Sequence, residues 1–129
     1  MLSSYVSLYL QISFDAREKI SALITKKPFT KADKAEVERI ANSAAKYLEL
    51  GIYQFPREWR NYWAASYVYA SAGMKAKAID VVKRGLENIP AYDAPGKSRL
   101  TMSLQQIESI TDESLKVDEE PAPAADAAN

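Results

Sequence analysis

Closely spaced carboxylates occur in this chain at Glu36/Glu38 and Asp118-Glu119-Glu120. A general acid and a general base need two such groups within reach of one substrate. Neither set is placed for that work. Glu36 and Glu38 share a helical stretch with Lys34 and Arg39, a solvent-facing mosaic of charge. Asp118-Glu119-Glu120 opens an Ala/Pro-rich tail. There is no histidine and no cysteine. Ser-His-Asp and Cys-His catalysis, thiolate metal sites and disulfides are therefore excluded. The four glycines are scattered and form no phosphate-cradling loop. The expectation is a non-enzymatic protein with no catalytic residue, no cofactor and no metal.

A second chemistry-bearing group is Arg57, Trp59, Arg60, Tyr62 and Trp63, with Glu58 inside it. Aromatics beside cations could stack on bases and hold phosphates. The same mixture also anchors protein interfaces. The 17 basic and 17 acidic residues give zero net charge, which favours neither partner. From Asp112 onward six acids face one base, Lys116, so the body before it is about +5. Lys26, Lys27, Lys31 and Lys34 form a basic cluster that reads as solvated surface.

These residues must be held by helices. At 129 residues the chain forms one domain with a modest core. From Val6 to Phe14 apolar and polar residues alternate, the period of a strand, but no second strand follows to pair with it. A helix from Ser3 or Ser4 to Thr25 is favoured, with Ala16, Ile20, Leu23 and Ile24 on one face; a strand that joins a partner's sheet is the alternative. Met1–Phe14 is too short and polar to span a bilayer and lacks a signal-peptide layout. Pro28 breaks the first helix and Thr30 can cap the second, which should end at Gly51 with Val37, Ile40, Ala41, Ala44, Ala45 and Leu48 buried. Further helices are expected over 57–72, 75–88 and 97–110, with Gly73 in a turn and Pro90, Pro95 and Gly96 in a loop. Residues 1–111 then form the helical domain, its first 30 irregular, and 112–129 an acidic disordered tail.

Ala44, Leu48, Gly51, Ile52 and Pro56 recur 34 residues later as Ala78, Val82, Gly85, Leu86 and Pro90. A fixed period of this length marks helix-turn-helix repeats. In that frame Tyr62 and Tyr69 are the large aromatics of a first helix, Ala65 and Ser66 its small residues, Gly73 the turn, Ala78 and Val82 the second helix, and Pro90 the close. Residues 59–92 thus resemble one tetratricopeptide repeat, and 41–58 match it in part. The resemblance implies an all-α, short antiparallel solenoid of about five helices. It also implies a groove lined by first-helix residues: Arg60, Trp63, Tyr67, Ala70 and Ser71, then Lys97, Thr101, Leu104 and Gln105. Trp63 and Tyr67 could instead pack against an earlier helix.

The expected function is a protein-protein interaction or scaffold module, a subunit of a larger assembly, with a protein or peptide partner or a second copy. The alternatives are a structural subunit docked on a membrane-associated complex through residues 1–14, and a regulator that binds single-stranded nucleic acid, the least favoured partner. Any membrane contact would come through the larger assembly. The cytoplasm is the favoured compartment.

Overall fold

The computed structural model describes residues 4–110 and 115–118. Five helices follow one another: α1 (Ser4–Ile24), α2 (Lys31–Gln54), α3 (Trp59–Ser71), α4 (Lys75–Asn88) and α5 (Ala94–Glu108). The fold is all-α, and there is no strand among the described residues. The first segment is helix because its inward positions, Val6, Tyr9, Ser13, Ala16 and Ile20, follow helical spacing through the alternating stretch.

α1 pairs with α2 and α3 with α4, and α5 packs on both α3 and α4. α3 touches all four other helices and forms the centre of the fold. The helices stand in two layers, α1-α3-α5 and α2-α4. This arrangement is compatible with a helical repeat. α2 and α4 do not meet directly; the forked pair Arg84–Glu49 spans their gap at 2.8 and 3.0 Å. The ion pair raises the Arg84 pKa, chiefly through its hydrogen bonds to Glu49.

The 34-residue echo has a geometric meaning. Ala44 and Ala78 are both buried, as are Leu48 and Val82. Gly51 lies against the Tyr9 ring and Gly85 against Tyr62, so each glycine lets the aromatic of its own hairpin reach the second helix. Neither glycine ends its helix. α2 continues to Gln54, and the Gly51 and Gly85 carbonyls accept from the caps Phe55 and Ile89, both at 2.9 Å. Pro95 and Gly96 likewise belong to α5 rather than to a loop: proline fits a first turn, and Asp93 caps Gly96 N–H at 3.0 Å. Gly73 sits at φ 76° as the turn between α3 and α4 requires.

Buried polar side chains pin the helices together, within a layer and between the layers. Ser13 on α1 donates to the Ala64 carbonyl on α3 at 2.8 Å, and Asn61 Nδ2 donates to the Gly51 carbonyl at 2.9 Å. α2 starts in a full capping box, Thr30 with Asp33, and Lys26 bonds the second Asp33 oxygen at 2.8 Å. Thr30→Ala should cost about 1 kcal/mol by denaturant unfolding. The Lys26 hydrogen bond, then those from Thr30, hold the Asp33 carboxyl below its ordinary pKa. A depressed folded pKa gives stability that is present above the unfolded value and lost as pH falls through the folded one. The stability gap between wild type and Asp33→Asn should therefore close on acidification below the usual carboxylate range.

Of the tail read as disordered, 112–114 and 119–129 lie outside the described residues. Residues 115–118 depart from that reading. They run as an irregular segment back to the α1–α2 loop, where Leu115 packs on the core.

Candidate functional site

α3 divides its side chains between two faces. Tyr62, Ala65, Ser66 and Tyr69 follow one stripe and Arg60, Trp63, Tyr67 and Ser71 another, as a 3.6-residue period requires. Tyr62 is fully buried, and its hydroxyl donates to the Pro56 carbonyl at 2.6 Å. Burial pushes the hydroxyl pKa of Tyr62 upward, and that of Tyr69 likewise. The second stripe is half-buried and lies on the α1-α3-α5 layer, open to solvent.

A continuous run of aromatics and arginines occupies that face. Trp59 meets Trp63 edge-on with ring centroids 6.3 Å apart, and Trp63 meets Tyr67 at 4.8 Å. The Arg60 guanidinium lies 4.9 Å from the Trp59 ring and pairs with Glu58 at 2.9 Å. From α1, Arg17 stands 4.7 Å over the Tyr67 ring and 6.0 Å from that of Phe14, which is 61% exposed. From α5, Gln106 meets the Tyr67 hydroxyl at 3.2 Å. Beside the run, Arg17, Ser21, Ser71 and the two isoleucines Ile20 and Ile24 line a depression of about 340 Å³.

Arg60, Trp63, Tyr67 and Ser71 are therefore together on one surface, although Ser71 spends its hydroxyl on the Tyr67 carbonyl at 2.7 Å. Trp63 also packs against the core, so the tryptophan serves both the interior and the surface. Ala70 and Leu104 are half-buried against the core too. Lys97, Thr101 and Gln105 do not join the group. Lys97 turns to α4 and donates to the Leu86 carbonyl, Thr101 bonds back to the Lys97 carbonyl at 2.8 Å, and Gln105 is exposed. α5 starts three residues earlier than 97, and it is Gln106 that meets the Tyr67 hydroxyl.

Comparison with protein-family models, with curated proteins and with solved structures returned no match.

Phe14, Arg17 and Gln106 escaped sequence reasoning. Phe14 and Arg17 are three apart, hence on one helical face, and this spacing was the available signal. It had no frame, because the long loop at Pro28 leaves the first hairpin without a fixed repeat length. The face offers cation-π and aromatic contact area with few rotatable bonds. Side chains of this kind are enriched among the residues that dominate protein interfaces.

Proposed function

We propose that this chain is a non-enzymatic interaction module of the tetratricopeptide-like type that holds a protein segment on its α1-α3-α5 face. The observation that carries the reading is the unbroken aromatic-arginine run from Phe14 through Arg17, Tyr67 and Trp63 to Trp59 and Arg60. Among the described residues Arg17 has no carboxylate partner, so its charge is directed to an aromatic ring and to solvent. Rigid aromatics and arginines are the residues that dominate binding energy at protein interfaces, because they bury large areas at small entropic cost.

Arg17→Glu combined with Tyr67→Ala tests the reading. Both side chains are half-buried, so the variant should lose about 1–3 kcal/mol of stability, and capture is compared where both chains are folded. Its capture of co-purifying protein from native cells should fall by tenfold or more, on the order of a lost hot-spot pair. Unchanged capture would count against the proposal.

A second reading is favoured by the other side of α1. Tyr5 and Leu8 are more than half exposed, and Tyr53, near the end of α2, is 84% exposed. A groove of about 700 Å³ runs between α1 and α2, floored by Ile12, Ala16, Leu23, Ile40 and Ala44 and edged by Tyr47. These surfaces suit a structural subunit seated on a larger assembly by its first hairpin. Val6, Tyr9 and Ser13 belong to the interior, so removing residues 1–14 would damage the fold as well as the surface. Leu8→Glu is the cleaner probe: this reading requires it to release the chain from the assembly without unfolding it.

A further inference from the structure

Two features that the open face does not use meet at the α1–α2 loop. One is the lysine cluster Lys26, Lys27, Lys31 and Lys34; the other is Asp118, where the acidic run begins. Phe29 N–H donates to Asp118 Oδ2 at 2.6 Å, and Asp118 N–H donates to the Phe29 carbonyl at 2.8 Å. The pairing links positions 89 residues apart in the sequence. Leu115 and Val117, two apart, are both half-buried, and Leu115 packs on the core.

The receiving edge is prepared for carboxylates. Phe29 N–H holds Asp118, and the next N–H, that of Thr30, holds Asp33 at 3.0 Å. Lys26 bonds Asp33, while Lys27 and Lys31 are exposed beside it. A backbone hydrogen bond to the loop, alternate half-buried apolar side chains and one carboxylate held by a backbone N–H together resemble a peptide-recognition mode.

We propose that the Phe29 edge is a docking site for an extended apolar-x-apolar-aspartate segment, and that residues 115–118 fill it as a tethered, exchangeable occupant. Among the described residues the hold includes two half-buried apolar side chains and two hydrogen bonds at a partly exposed edge, beside a further interaction of Lys116. Contacts of this kind open locally without unfolding the rest. A partner segment of the same chemistry takes the place of residues 115–118 when they open. The tether gives the chain's own segment a high effective concentration, so a free peptide binds the intact chain poorly. This site is separate from the α1-α3-α5 face, and either can stand without the other.

The test uses the full-length chain and a labelled peptide, Ser-Leu-Lys-Val-Asp-Glu-Glu, which reproduces residues 114–120. Val117→Ser/Asp118→Ala in the chain removes the internal competitor. This variant should bind the peptide at least about tenfold more tightly than wild type does. A peptide carrying the Asp118→Ala change should not bind it. The amide of Phe29 should exchange faster in the variant than in wild type, with the helical circular dichroism unchanged. Equal binding by both chains, binding by neither, or binding that survives the Asp118→Ala change in the peptide overturns the proposal. So does loss of helical signal in the variant, since the segment would then be an integral part of the fold.

Discussion

Tyr62→Ala is expected to lower stability by about 3–5 kcal/mol, the cost of emptying a large aromatic site in a packed core. Single domains often hold only about 5–15 kcal/mol in total, so this one change could leave the chain partly unfolded at 37 °C. The reason lies in the position of the ring. Tyr62 is fully buried on the central helix and touches Gly85 of α4, and its hydroxyl reaches Pro56 beyond α2. One side chain therefore closes the second hairpin and its junction with the first. Tyr62→Phe keeps the ring and removes only the hydrogen bond, so about 1 kcal/mol should be lost. Denaturant unfolding of the two variants separates packing from hydrogen bonding.

Gly85→Ala should destabilise, although alanine is the better helix former by about 1 kcal/mol. A Cβ at Gly85 would lie 2.7 Å from Tyr62 Cγ and 2.7 Å from Leu100 Cδ1. Both neighbours are fully buried, on α3 and α5, and neither has room to yield. Overpacking of this kind costs about 1–3 kcal/mol, enough to outweigh the propensity gain. Gly51→Ala is the internal control. Its Cβ would meet the Tyr9 ring at 2.8 Å, and Tyr9, in the second turn of α1, keeps 8% exposure where Tyr62 and Leu100 keep none. One ring, held by Gln54 at 2.6 Å, stands in the way rather than two fully buried side chains, so Gly51→Ala should cost less than Gly85→Ala. Equal thermal shifts for the two would contradict the packing described.

These glycines also show what the sequence could and could not reveal. The period of 34 marked Gly51 and Gly85 as equivalent, and they are. Gly51 was read as a helix stop and its role misjudged, because a glycine's service to a neighbouring ring depends on packing that no local signal carries. The five helices were legible, since Pro28, Thr30, Gly73 and the apolar stripes punctuate the chain in ways backbone sterics enforce. Asp93 as the α5 cap was missed, and so was the meeting of Gln106 rather than Gln105 with Tyr67. Within α3 the stripe Arg60, Trp63, Tyr67 and Ser71 was implied by the tetratricopeptide resemblance, and the helical period of α3 places it on one face. Across helices, the meeting of Arg17 with Tyr67 and of Asp118 with Phe29 depends on tertiary packing, and the period of a single element says nothing about it.

Photo-crosslinking in native cells tests the central claim most directly, with a benzophenone side chain placed at position 67 in one chain and at position 105 in another. Tyr67 lies in the aromatic-arginine run, whereas Gln105 is exposed and outside it. The account predicts a discrete covalent adduct with a protein partner from position 67 and none from 105. No adduct from 67, or the same adduct from both positions, would contradict it.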